Sequence, residues 1–140
     1  MKEYISNSVE ETARVAEELA SQFKGGEVLA LAGNLGAGKT VFVKALAKAM
    51  GIEEHITSPT FVLMKVYDLQ MGKIKRLVHV DCYRLEGRED LFDIGLNDYL
   101  SFDNSVVVIE WADKILNLPD RTIKISIENI GGDQRKIIVD

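Results

Sequence analysis

Residues 33–40 read GNLGAGKT, set between EVLALAG (27–33) and KTVFVKALAKAM (39–50). Gly33, four intervening residues, then Gly38, Lys39 and Thr40 complete the G-x-x-x-x-G-K-T pattern of a phosphate-binding loop. Glycines let successive backbone N–H groups turn inward around phosphate oxygens, and the helix that follows adds its positive N-terminal end. Leu35, Gly36, Ala37, Gly38, Lys39 and Thr40 are thus the expected cradle for a nucleotide. Lys39 reaches the β- and γ-phosphates as a mobile point charge, and the Thr40 hydroxyl ligates Mg²⁺. A chance glycine-rich turn is a poor rival, because the motif also has the strand before it and the helix after it that this chemistry requires.

Outward from the loop, EVLALAG is a short unbroken apolar run suited to a buried strand, and the helix over 39–50 stops at Gly51. Upstream, EYIS (3–6) suits a short edge strand. Ser8 and Glu11 have capping-box spacing, and Val9, Ala13, Ala16, Leu19, Ala20 and Phe23 form one apolar helical face that Gly25-Gly26 ends. Downstream, TSPTF (57–61) reads as a loop, since Pro59 biases Ser58 away from helix. FVLMKVYDL (61–69) and KIKRLVHVD (73–81) form one hairpin, and RTIKISIE (121–128) and QRKIIVD (134–140) a second. Residues 85–100 carry short helical pieces broken at Gly87 and Gly95, and VVVIE (106–110) is another buried strand. Buried strands alternating with helices imply an α/β fold of one domain over 1–140, with a mixed, mostly parallel central sheet flanked by helices.

Two apolar strands end in a carboxylate, LVHVD at Asp81 and VVVIE at Glu110. Proteins with this loop place such a group at a neighbouring strand end to hold Mg²⁺. The more buried strand assigns Glu110 to the metal. Asp81 then orients the attacking water, acts as its base, or shares the metal's water shell. Plain solvated strand ends are the bland reading of both. His79 shares a strand face with Asp81 and reads as a hydrogen-bonded packing residue. Thr57, Ser58 and Thr60 suit either a γ-phosphate sensor or turn capping around Pro59. Trp111 reads first as core.

Composition narrows the class. The net charge is −5 over 140 residues, which argues against an extended, sequence-independent grip on nucleic acid. A single cysteine, Cys82, excludes an intramolecular disulfide. No apolar run approaches a membrane span of about 18 residues, and the N-terminus turns acidic where a signal peptide turns apolar. The expectation is a cytoplasmic protein.

Taken together, GNLGAGKT, SPTF, the VDCYRL segment and VIEWAD resemble, in order and spacing, the bacterial TsaE (YjeE) family. That family is the ATPase component of tRNA threonylcarbamoyladenosine (t6A) biosynthesis, and the resemblance covers nearly the whole chain. It implies a P-loop NTPase fold binding ATP or ADP with Mg²⁺. It implies a catalytic set of Lys39, Asp81 and Glu110, with Thr40 and Glu110 on the metal and SPTF behaving as a switch. Trp111 would lie near the nucleotide, with Thr12 in the opening helix and Arg135 in the last hairpin flanking the adenine. The resemblance also implies two partners, TsaB and TsaD. Hydrolysis would reset their complex while a threonylcarbamoyl group is placed on adenosine 37 of tRNAs reading codons that start with A, and the partners would make most of the tRNA contact.

A small-molecule or nucleoside kinase is the rival reading. Its arginine-rich lid finds only Arg84 and Arg88, diluted by Glu86, Glu89 and Asp90. A guanine-specific switch is disfavoured because no N-K-x-D segment occurs.

Overall fold

The chain opens with β1 (Lys2–Ser6), α1 (Val9–Ala20), β2 (Val28–Ala32) and α2 (Lys39–Ala49). The β3–β4 hairpin (Met64–Met71, Ile74–Asp81) follows, then the two-residue strand β5 (Glu89–Asp90), β6 (Ser105–Glu110) and the two-residue strand β7 (Ile115–Leu116). The β8–β9 hairpin (Ile123–Gly131, Gln134–Val139) closes it. The computed structural model describes residues 1–33, 38–54, 56, 64–82, 89–90, 99, 103–112, 115–116 and 118–140.

Seven strands form one sheet in the order β1-β9-β8-β2-β6-β4-β3. The middle strands β8, β2, β6 and β4 run parallel. Outside them the pairings β1·β9, β9·β8 and β4·β3 are antiparallel. Parallel pairing is therefore confined to the centre of a mixed sheet, because a tight hairpin can join only antiparallel neighbours. Being sandwiched between layers, β6 is buried along its whole length, as its unbroken apolar sequence requires.

One face of the sheet presents Leu29, Leu31, Leu77, Val106, Val108, Ile125 and Ile127 to α1 and α2, which contribute Ala16, Ala20, Phe42, Val43, Leu46 and Ala47. Alternation along the strands sends Val28, Ala30, Val78, Val80, Val107 and Ile109 to the other face, where Ala112 and Ile115 cover them and Tyr99 packs alongside. Among the described residues both helices thus lie on one side of the sheet rather than flanking it.

Local signals explain the helix starts. The Ser8 side chain caps α1 by accepting from the Glu11 amide at 3.1 Å. The Glu11 carboxylate returns to the amide of Asn7, one residue before the position a capping box uses. Two expectations shift. Helix α1 ends at Ala20 rather than at Gly25-Gly26, because a tighter turn with bonds from the Gln22 amide to Leu19 and the Phe23 amide to Ala20 folds Phe23 into the core. Val9 is exposed, and Thr12 takes the buried place on that face instead. In the segment read as helical pieces, Glu89–Asp90 is a strand paired in parallel with Ile115–Leu116, a non-local partner that no helical period reveals.

Gly25-Gly26 instead steer the chain into β2. Gly25 has φ +116, and a Cβ there would lie 1.9 Å from the Asp103 carbonyl oxygen. That facing backbone is itself held, with the Gly26 amide bonded to Ser105 at 2.9 Å and the Lys75 amide to Asn104 at 2.8 Å. Gly51, at φ +87, has open space around it. Gly51→Ala should therefore lose about 1–2 kcal/mol from left-handed strain alone. Gly25→Ala should lose clearly more, on the order of 3 kcal/mol, as strain and a backbone clash add. Urea denaturation of both variants checks the difference, and equal losses would contradict the close-approach account.

Candidate functional site

Strands β2, β4 and β6 end together at one edge of the sheet, the edge where open α/β sheets bind ligands. Chain leaving β2 at Gly33 re-enters described structure at Gly38, which caps α2 in the left-handed region (φ 106, ψ 15) without a side-chain bond. Only glycine reaches that conformation without strain. Helix α2 carries no acidic residue in its first turn, and its positive end suits an anion. Helix α1, by contrast, places Glu10 and Glu11 in its own first turn.

Lys39 opens α2 and is only 6% exposed. Its Nζ donates to the Gly33 carbonyl at 2.7 Å and lies 3.9 Å from the centroid of the Trp111 ring. The ammonium thus spans the two ends of the glycine-rich loop under an aromatic roof. Trp111 can provide that roof because the chain turns sharply after β6, putting this bulky residue at φ 58, an uncommon conformation outside glycine and asparagine. It is half-buried and touches the margin of the second core cluster. The ring thus lies at the margin of the core and beside Lys39. Thr40 follows with its side chain exposed.

The β4·β6 register pairs His79 with Val108 and Asp81 with Glu110. Strand alternation puts His79, Asp81 and Glu110 on the face that carries Leu77, Val106 and Val108, the side covered by α2. Glu110 is 3% exposed, and its Oε2 lies 2.7 Å from His79 Nε2. Asp81 is half-buried. Among the described residues no cluster of three or more His, Cys, Asp or Glu is arranged as a metal cage. The donors on offer are one hydroxyl and one or two carboxylates. That set fits Mg²⁺, a hard cation that keeps waters and phosphate oxygens in most of its shell.

A second feature adjoins the loop. Ser8, Val9, Thr12, Gly38, Val41, Asp133 and Arg135 line a cleft of about 60 Å³. Pairing of β1 with β9, with Ser6 opposite Arg135, draws the opening helix and the last hairpin together here. Thr12 forms wall rather than floor: it is buried, and its Oγ1 lies 2.7 Å from Ser6 Oγ, which donates to the Ser8 carbonyl. Arg135 Nη1 donates to the carbonyls of Gly132 and Gln134 at 2.8 and 3.0 Å, holding the guanidinium over the hairpin turn. Its Nε would be 3.8 Å from a Cβ at Gly38.

The structure thus gathers Gly38, Lys39, Thr40, Asp81, Glu110 and Trp111 around the loop, and Thr12 and Arg135 around the adjoining cleft. Leu35, Gly36, Ala37, Thr57, Ser58, Thr60, Arg84 and Arg88 lie outside the described residues. So do most of the residues of LFDIGLNDYL (91–100). Sequence reasoning missed the Gly33 carbonyl as the lysine's acceptor, Asp133 and Val41 beside the cleft, and the direct His79–Glu110 contact. Strand alternation offered a signal for the last, since it places both side chains on one face once the two strands are known to be neighbours. No helix among the described residues is long and apolar enough to cross a membrane.

The architecture is that of a P-loop NTPase, and comparison with known proteins agrees. The crystal structure of YdiB from Bacillus subtilis superposes with a TM-score of 0.74 at 33% identity, covering 99% of this chain and 83% of that one. A Treponema pallidum protein named tRNA threonylcarbamoyladenosine biosynthesis protein TsaE is 42% identical over 136 residues, 96% of this chain and 97% of its own. A Bacillus subtilis protein of the same name is 40% identical over 129 residues, 91% of this chain and 78% of its own. The family model described as threonylcarbamoyl adenosine biosynthesis protein TsaE matches residues 6–137. The chain belongs to the TsaE family of tRNA threonylcarbamoyladenosine biosynthesis proteins.

Proposed function

We propose that the chain, as one ATPase domain over 1–140, binds ATP with Mg²⁺ and hydrolyses it slowly alone. Hydrolysis would drive or reset a TsaB–TsaD heterodimer during formation of threonylcarbamoyladenosine at position 37 of tRNAs reading codons that start with A. The observation that carries this reading is the buried Lys39 at the start of α2, a first turn with no acidic residue, one strand end away from Glu110 and Asp81.

Each residue has a role in keeping with its place. Lys39 exchanges its Gly33 carbonyl for the β- and γ-phosphates, so the ammonium is already desolvated and held before substrate arrives. Thr40 and Glu110 would hold Mg²⁺, which when bound draws off charge developing on the phosphate oxygens. Asp81 accepts a hydrogen bond from the attacking water and aims it, or takes its proton; phosphoryl transfer asks little more of a base. Arg135, beside Gly38, and the wall formed by Ser8, Val9 and Thr12 would flank the adenine. A cleft of about 60 Å³ is well below ligand-enclosing size, so the base would lie across its mouth rather than inside it. A net charge of −5 favours leaving most of the tRNA contact to the partners.

The deciding experiment is phosphate release from Mg-ATP by the purified chain, alone and with TsaB–TsaD added. Release should be slow alone and rise clearly with the partners, and Lys39→Ala should lower the stimulated rate about a hundredfold or more. A partner-independent rate would count against the timer role, and transfer of phosphate to an acceptor would favour a kinase. For the cleft, Arg135→Ala should weaken ATP and ADP binding alike, roughly fivefold for one lost contact of about 1 kcal/mol. An effect confined to ATP in a calorimetric titration would move Arg135 to the γ-phosphate instead. Because Trp111 is the only tryptophan and faces Lys39 Nζ, its fluorescence at 295 nm excitation should change on adding Mg-ADP, and Lys39→Ala should abolish that response at the same nucleotide concentration. An unchanged spectrum in the saturated wild type would place the ring away from the nucleotide.

A further inference from the structure

We infer that His79 is a positioning residue for the magnesium-binding carboxylate: it clamps one oxygen of Glu110 so that the other is presented to the metal. The inference rests on the reading of Glu110 as a Mg²⁺ ligand and extends it to a group outside the loop motif.

The pair is unusually enclosed. The His79 and Glu110 side chains are 2% and 5% exposed, and their Nε2–Oε2 distance is 2.7 Å, short for a nitrogen–oxygen bond and in the range of charge-assisted ones. A carboxylate serving as a metal ligand can only accept, so on the reading of Glu110 as ligand the ring presents Nε2–H to Oε2. Nδ1 is buried and has no hydrogen-bond partner among the described residues. The ring's polar contact is therefore directed at a single atom, Glu110 Oε2. In the neutral tautomer the orphaned Nδ1 is a bare lone pair, which burial penalises less than an orphaned N–H.

The backbone makes this arrangement stiff. His79 and Glu110 project from adjacent parallel strands in a register that pairs Val80 with Ile109 and Asp81 with Glu110, and β6 is buried on both faces. The paired backbone fixes where both side chains start, and burial of both limits the room in which either can turn. With Oε2 engaged by His79, Oε1 is the oxygen left for a cation. A carboxylate so fixed loses little rotational freedom on binding metal, and disrupting such an outer partner typically weakens metal binding 10- to 100-fold.

The test compares wild type, His79→Phe, His79→Gln and Glu110→Gln. Mn²⁺ binding to the ADP complex is followed by electron paramagnetic resonance, and ADP affinity without metal by calorimetry. His79→Phe should weaken Mn²⁺ about tenfold or more, and His79→Gln, whose amide N–H can replace Nε2–H, should recover most of that loss. Metal-free ADP affinity should stay unchanged in both. Wild-type binding of Mn²⁺ by His79→Phe, with binding lost in Glu110→Gln, would overturn the role of His79 and leave Glu110 as ligand. Wild-type binding by Glu110→Gln would remove the ligand assignment itself, and the inference with it. Should His79→Phe not fold, ¹⁵N spectra of the His79 ring in the wild type decide. Mg²⁺ added to the ADP complex should shift its Nε2 signal, and an immobile signal would mark the pair as purely structural.

Discussion

A lysine residue that is only 6% exposed is the constraint around which this molecule is arranged. Taking a charge out of water costs several kcal/mol even after local relaxation, so groups that replace hydration must gather around Lys39. The Gly33 carbonyl does so directly, and the Trp111 ring adds a polarisable face. Both depend on strand ends being level with one another. That alignment follows from the parallel pairing of β2 with β6, in which Leu31 stands opposite Glu110. A one-residue slip would turn Glu110 to the other face and break the arrangement. The parallel centre of the sheet is thus what makes a buried cation tolerable.

The outer strands answer a different need. Antiparallel hairpins on either side cover the parallel core and bring functional groups in from distant sequence. The β3–β4 hairpin delivers Asp81 and His79, and the β8–β9 hairpin delivers Arg135 and Asp133. Polar residues therefore converge on one edge of the sheet from both directions, while an apolar cluster fills each face behind them.

What was legible in the sequence follows from which interactions are local. GNLGAGKT can be read directly because phosphate chemistry dictates residue type at fixed spacing. The Ser8 cap is legible for the same reason, even though Glu11 returns to Asn7 rather than Ser8. Both hairpins and the two strand-end carboxylates were accessible through alternation and apolar runs. The 2.7 Å contact between His79 and Glu110 was not, because it requires knowing that β6 inserts between β2 and β4, a fact set by packing of elements distant in sequence. The left-handed turn at Trp111 is equally silent in sequence, since that residue type argues against it. Thr12 and Arg135 could be placed beside the loop only through family resemblance; their meeting comes from a β1·β9 pairing that joins opposite ends of the chain.

That last pairing bears on the order in which the protein is made. Lys2 is registered with Val139 and Ser6 with Arg135, so the cleft beside Gly38 has one wall from the first dozen residues and the other from the last eight. The glycine-rich loop, α2 and the strands on which Asp81 and Glu110 sit all lie between those two walls in sequence, so their residues leave the ribosome before Arg135 does. The second wall of the cleft cannot form until residue 135 is released. The residues of the phosphate end are therefore synthesised before the cleft beside it can close, since that closure waits for the β8–β9 hairpin to leave the ribosomal tunnel.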